Sequence, residues 1–334
     1  MTIATGTEPK LVANGDVNSD GRKDILVSSF VSGNIAIVRS GVGNSFFNAA
    51  LFPTFQRSGA VALGDFNSDG KPDVGVGNFD TNTVMALLNR NNCFTANKIV
   101  PTNAANFIGT KLTPEGIASS FGAGLATSTQ VAAGIPLPTT LAGTTVKIKD
   151  SLGMEFLAPL FFVAAQQVNW QVPKGVAEGI ASVTITSGAG SISTGTVEIT
   201  KVAPGIFAAS ANGAGVLAAS VLHIKPNGDR SFEQTALYLT VENKYVAREL
   251  ILEADDLFLE IYGTGIRNRS GLAQVTAKIG EVNAEVLYAG AHCCFVGVDQ
   301  INVKISKTLA GRGEVDIVLT IDGKETNSLR LNVK

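Results

Sequence analysis

Val12-Ala-Asn-Gly-Asp16-Val-Asn18-Ser-Asp20-Gly21-Arg22-Lys-Asp24-Ile-Leu-Val27 decides the reading of this chain, because it recurs. The second copy is Ala62-Leu-Gly-Asp65-Phe-Asn67-Ser-Asp69-Gly70-Lys71-Pro-Asp73-Val-Gly-Val76, with Asp65 lying 49 positions after Asp16. The match continues downstream. Gly33-Asn-Ile-Ala-Ile-Val-Arg39 lines up with Asn82-Thr-Val-Met-Ala-Leu-Leu-Asn89, and Asn44-Ser-Phe-Phe47 with Asn92-Cys-Phe-Thr95. Each copy reads as a short strand, an acidic loop, a second strand, a turn and a third strand. That pattern builds a small antiparallel sheet, and the spacing falls in the range of propeller blades.

The loops carry the chemistry of a hard cation. Calcium takes about six to eight oxygen ligands at roughly 2.3–2.6 Å. Alternate side chains in a tight loop turn inward together, which gathers Asp16, Asn18 and Asp20. Gly21 permits the left-handed turn that follows, the backbone carbonyl of Arg22 comes next, and Asp24 completes the set. Asp65, Asn67, Asp69, the carbonyl of Lys71 and Asp73 repeat the arrangement around Gly70. The expectation is about two calcium ions, one per loop. Magnesium, which keeps several waters, fits less well. An ion-free set of Asx turns is the competing reading.

An EF-hand requires Glu at the twelfth position and flanking helices. Val27 and Val76 occupy that position here, and strands follow. The loops instead resemble the calcium loop of FG-GAP (VCBS-type) repeats, carried by the Gly15-Asp16 and Gly64-Asp65 entries, the apolar strands after Asp24 and Asp73, and Gly77-Asn-Phe79. The resemblance covers about residues 1 to 100. It implies blades of a β-propeller, calcium in the loops, and an extracellular setting. Propellers close with about four to eight blades, so two leave sheet surfaces uncovered. A chain that starts late relative to a longer protein would explain both this and the absence of a visible secretory signal at Met1-Thr-Ile-Ala.

Downstream, a second duplication appears. Ile117-Ala-Ser-Ser-Phe-Gly-Ala-Gly124 pairs with Leu257-Phe-Leu-Glu-Ile-Tyr-Gly-Thr-Gly265, and Gln167-Val-Asn-Trp-Gln-Val-Pro173 with Gln300-Ile-Asn-Val-Lys-Ile-Ser306. Alternating strands follow each, Ser182–Ser187 and Glu314–Thr320. One wet face and one apolar face predict sheets packed in sandwiches. The fold expected is therefore all-β: two propeller-blade-like antiparallel sheets followed by two immunoglobulin-like β-sandwich domains. The boundaries are 1–102 for the repeats, 103–206 for the first sandwich, and 207–334 for the second with its connecting segment. Asn97 to Asn106 reads as a linker. Asn243 to Asp255 contains helix formers, but its neighbours Leu237-Tyr-Leu-Thr-Val and Leu257-Phe-Leu-Glu-Ile-Tyr favour strand.

Residues from about 110 onward resemble an uncharacterised C-terminal domain family of large secreted proteins from Solibacter-type bacteria. Ala158-Pro-Leu-Phe-Phe-Val, Gln167-Val-Asn-Trp-Gln-Val-Pro, Ala203-Pro-Gly-Ile-Phe, Tyr262-Gly-Thr-Gly-Ile, Ala284-Glu-Val-Leu-Tyr-Ala-Gly and Asp299-Gln-Ile-Asn-Val carry this resemblance. It implies architecture and no activity. Ala291-His-Cys-Cys-Phe295 departs from the Gly-rich turn expected there.

Composition narrows the function classes. Charged residues make up 16% and the net charge is −2, so no field draws in nucleic acid. No apolar run is long enough to span a bilayer. Cys93 stands alone beside the adjacent pair Cys293 and Cys294; a bridge from Cys93 to one of them, or three free and mostly buried thiols, are the two readings. No G-x-S-x-G, H-E-x-x-H or Walker sequence occurs, so catalysis has no visible apparatus. Trp170 reads as core, the His292-Cys-Cys run as no site, Gly263-Thr-Gly265 as a turn, and Asp255-Asp256 as edge-strand charge. The function expected is a non-enzymatic, calcium-binding extracellular protein in adhesion or ligand binding at the cell surface, with glycan or protein partners. The alternatives are the accessory region of a secreted enzyme, such as one that degrades polysaccharide, and a structural spacer.

Overall fold

The computed structural model describes every residue except Met1, Ser19, Asp20, 42–44, Asn48, Phe55, Gln56, 90–96 and Ala254. The all-β reading holds. The described residues form strands, with two short 3-10 turns at Leu272–Gln274 and Lys307–Leu309. Among them no helix is long and apolar enough to cross a membrane.

The chain divides into two compact units. One comprises residues 1–97 with 190–192, the other 98–189 with 193–334. In the first, β1 (Pro9–Gly15), β2 (Asp24–Ser29), β3 (Asn34–Val38) and β4 (Ala50–Pro53) form an antiparallel meander in that order. The second meander is β5 (Ser58–Gly64), β6 (Asp73–Asn78) and β7 (Thr83–Leu87). The repeated sequence gives repeated register: Gly15 pairs with Asp24, and Gly64 with Asp73. Each acidic loop thus connects adjacent strands at one end of its sheet. The apolar strands β2 and β6 supply Leu26, Val74 and Val76 to a core shared with Val17, Ile35 and Ile37. Outside this seam, apolar side chains remain exposed, with Val84 at 79% and Phe79 at 72%. Sheets lacking further neighbours leave surface of this kind.

The second unit holds two cores. In the first sandwich one sheet runs Lys111–Leu112, Ile192–Ile199, Gly179–Thr186, Thr144–Lys149, Thr140–Leu141. The facing sheet runs Gln130–Val131, Leu160–Val163, Gln167–Gln171, Ile117–Phe121, Val100–Asn103. Trp170 is fully buried between them, and its indole N–H donates to Ser120 Oγ at 2.9 Å. Val100–Asn103 corrects the linker reading: it is an edge strand paired with Ile117–Phe121. An edge is where a strand tolerates proline, which lacks an N–H to donate, and Pro101 lies there.

The second sandwich repeats the first with one difference. Its two sheets are continuous through the long strand Val282–Ala291. That strand pairs with Val275–Ile279 through residues 282–284 and with Asp299–Lys304 from Glu285 onward, the second pairing carrying a bulge between Val286 and Tyr288. The bulge bends the strand, so one sheet curls over its own core. The duplication extends to detail. Each sandwich ends in a parallel edge pair, Lys111–Leu112 beside Ile192–Ile199 and Glu249–Leu250 beside Leu329–Val333. Gln167 donates to Asn169 at 2.9 Å, as Gln300 does to Asn302 at 2.8 Å. Residues 243 to 255 contain strands, Lys244–Ala247 and Glu249–Leu250, as their neighbours suggested.

Asparagine side chains join the two sandwiches. Asn103 Nδ2 donates to the Ala203 carbonyl at 2.7 Å, and Asn268 Nδ2 to the Pro114 carbonyl at 2.9 Å. Thr264 Oγ1 accepts from Ile117 N–H and donates to the Gly297 carbonyl, each at 2.8 Å. Gly263-Thr-Gly265 is therefore more than a turn. It ends strand Asp256–Thr264, and a side chain on Gly265 would run into the Ala203 carbonyl.

Candidate metal centre

Both acidic loops are organised by their own carboxylates. In the second, Asp65 Oδ1 accepts from the Asp69 N–H at 3.1 Å and Asp65 Oδ2 from the Gly70 N–H at 2.9 Å. Asn67 Oδ1 accepts from the Asp69 N–H at 3.0 Å, and Asp69 Oδ1 from the Lys71 N–H at 3.0 Å. These bonds curl the chain around its acidic side chains. The first loop shows the matching bond from Gly21 N–H to Asp16 Oδ2 at 2.8 Å, with Asn18 N–H to Asp16 Oδ1 at 3.3 Å. Asp20, the third candidate carboxylate there, lies outside the described residues. Gly21 and Gly70 have φ of 81° and 79°, the left-handed turn that glycine supplies without strain.

Asp24 and Asp73 behave differently from the others. Both are fully buried. Asp73 Oδ2 accepts from the Phe66 N–H at 3.0 Å and Oδ1 from the Asn89 N–H at 2.7 Å. Asp24 Oδ2 accepts from the Val17 N–H at 3.1 Å and Oδ1 from the Ser40 N–H at 2.8 Å. Each ninth-position aspartate thus pins the loop entry to the chain leaving the third strand. Ser40 and Asn89 each follow their aspartate by 16 positions, and sequence reading did not single them out. Asn89 Nδ2 also donates to the Val17 carbonyl at 3.1 Å, tying one repeat to the other. Arg22 turns its side chain to the Ser40 carbonyl at 3.4 Å.

The donor set fits calcium. A carboxylate offers about four lone-pair sites, and the backbone bonds use one per oxygen in Asp65. Asp65, Asn67 and Asp69 are exposed at the loop surface. Asp65, Asp69 and Asp73 are not drawn into a set with all oxygens within 4.8 Å of one another.

Among the described residues, convergence within 4.8 Å occurs instead at His292, Cys293 and Cys294. The ring there is already engaged: Nδ1 accepts from the Cys294 N–H at 3.0 Å and the Phe295 N–H at 3.2 Å. These bonds give the histidine a turn-bracing role. Both cysteines are free and exposed, which corrects the expectation of buried thiols, while Cys93 lies outside the described residues. Hydrogen bonding from Cys293, helped by desolvation, pushes the Cys294 thiol up. His223 is held between Glu233 Oε1 at 2.8 Å and Asp255 Oδ2 at 3.5 Å, while Asp256 meets Lys304 at 3.5 Å. Sequence gave His223 no such partners.

The fold and the paired loops define an all-β repeat protein. A family model described as an FG-GAP-like repeat matches residues 16–76, from the first aspartate of one loop into the strand after the other. No curated protein matches the chain.

Proposed function

We propose that this chain is a non-enzymatic, calcium-braced binding protein that works outside the cell, in adhesion or ligand binding at a cell surface. The observation that carries the reading is the repeated cradle. In both loops the glycine N–H bonds the first aspartate, and a buried ninth aspartate holds the loop entry. The FG-GAP-like match over the same residues supports it. Asp16, Asn18, Asp20 and Asp24 with the Arg22 carbonyl would hold one ion, and Asp65, Asn67, Asp69 and Asp73 with the Lys71 carbonyl the other. Calcium bound there would neutralise the loop carboxylates and draw them together. Affinities of about 10⁻⁴–10⁻³ M are expected for extracellular modules.

The test is calorimetric titration of calcium into chelated protein, beside thermal unfolding in calcium and in chelator. Saturable binding at two sites, lost in Asp16→Ala/Asp65→Ala, supports the assignment. Identical melting in calcium and chelator, with no binding heat, rejects it.

A further inference from the structure

A cleft of about 560 Å³ opens where the first sandwich meets the loop at 207–215 of the second, well within the size of small-molecule sites. Phe107 and Phe121 form its aromatic wall, with ring centroids 5.9 Å apart, and Val100 extends the apolar surface. No charged residue lines it. We propose that this cleft binds a neutral pyranose ring, one sugar unit of a glycan. The proposal rests on the binding part of the function above and is independent of the calcium assignment.

Two polar side chains at the cleft are left with bonding capacity. Gln167 gives its amide N–H to Asn169, which leaves Oε1 as an acceptor. Asn212 Oδ1 accepts from Ser210 Oγ at 2.6 Å and the Ala214 N–H at 3.1 Å, which leaves Nδ2 as a donor. Unsatisfied polar groups at an apolar surface are costly, and a hydrocarbon occupant would leave them so. A sugar ring presents an apolar C–H face to the phenylalanines and hydroxyls that donate to Gln167 and accept from Asn212. The lack of charge disfavours uronates and phosphates.

The walls are held in place before any ligand arrives. Phe107 has φ of 55°, the one aromatic residue among the described residues on a left-handed backbone, and Ala211 has 52°. Bulky residues rarely adopt that conformation, and such strain concentrates at sites that need it. Here it holds the Phe107 ring beside Phe121. The opposite wall is fixed because Gly213 packs on Asn106, where a side chain would come within 2.4 Å of the Asn106 carbonyl. Asn327 Nδ2 anchors the Gly213 carbonyl at 2.8 Å.

The experiment titrates the methyl glycosides of glucose, galactose and mannose into the full chain, followed by saturation-transfer NMR and calorimetry, with glucuronate as the charged control. At least one methyl glycoside is expected to bind saturably and above glucuronate, with the ring C–H protons of one face receiving most transfer. Phe121→Ala should weaken it about tenfold. Because Phe121→Ala removes the ring packed on Phe107, Gln167→Leu and Asn212→Ala serve as the decisive pair; each should weaken binding in protein that circular dichroism shows still folded at the titration temperature. Chelator should leave the affinity intact, which separates this site from the acidic loops. Absence of saturable binding by all three glycosides overturns the proposal. So does binding that survives Gln167→Leu and Asn212→Ala, or that chelator abolishes.

Discussion

A single residue type plays two roles in the acidic loops, and burial separates them. Asp65 is exposed and shapes a loop; Asp73 is fully buried and fastens strands. Asp73→Asn replaces one acceptor oxygen with a donor and leaves a buried N–H unpaired. It should destabilise the N-terminal unit by about 1–3 kcal/mol in chelator as well as in calcium. Asp65→Ala should lower stability mainly when calcium is present. Chemical denaturation of both variants with and without chelator checks the contrast, and equal losses for the two in chelator would refute it. The aspartates were legible because they repeat at fixed spacing. Their partners at Ser40 and Asn89 were not, because the groups that bond them are backbone N–H, which nearly any residue supplies. Arg267 was equally hidden. Its Nε meets the buried Asp299 at 2.7 Å across 32 positions. Burial pushes the Asp299 carboxyl above its ordinary value, and the Arg267 guanidinium opposes that rise. Arg267→Met should cost about 3–5 kcal/mol by leaving a buried carboxylate without its cation, measured by denaturant unfolding. A loss under 1 kcal/mol, on the order of a surface pair, would contradict it.

Elements were readable where their hydrophobic period was clear and were missed where a single residue misled. Strands β2 and β6 follow from runs of β-branched and small apolar residues after each loop. Val100–Asn103 is hidden in the sequence because proline and asparagine usually mark loops, yet an edge position removes the proline's disadvantage and Asn103 is buried as a clasp. The turn from Asp150 to Met154 shows how one carboxylate shapes a connection. Asp150 Oδ1 accepts from the Leu152 N–H at 3.0 Å and the Met154 N–H at 2.9 Å, and Oδ2 from the Ala177 N–H at 3.1 Å. Burial pushes its carboxyl up, but bonds from Ala177, Met154, Leu152 and Gly153 outweigh this and hold it below its ordinary value of 3.8. A carboxyl with a lowered folded value stabilises the fold above its unfolded value and loses that contribution as pH falls through the folded one. Wild-type protein should therefore lose melting temperature below pH 3.8 more steeply than Asp150→Asn. Parallel acid limbs for the two proteins would remove Asp150 from the account.

At the scale of the molecule, the duplication of the sandwiches was visible in Gln-x-Asn strands, but the cleft between them was not. Phe107, Phe121, Gln167 and Asn212 come from four separate segments, and the topology alone brings them together. The organisation also sets how the chain should unfold. The two sandwich cores draw their buried residues from 99 to 333, while the repeat core draws its own from 17 to 76. Buried apolar surface is the main favourable term in folding, so units that share no core can melt separately. Residues 98–334 expressed alone should fold, because both of their cores and the Asn103, Asn268 and Thr264 clasps remain intact. Calorimetry of the full chain should then show two transitions. The one reproduced by the fragment should ignore calcium. The other should rise with calcium, by about 2.7 kcal/mol per site and so about 5 kcal/mol for two sites at a hundredfold excess over the dissociation constant. If the fragment's transition moves with calcium, the ion binds outside the acidic loops; if the fragment fails to fold, the sandwiches depend on the repeats for more than their own cores supply.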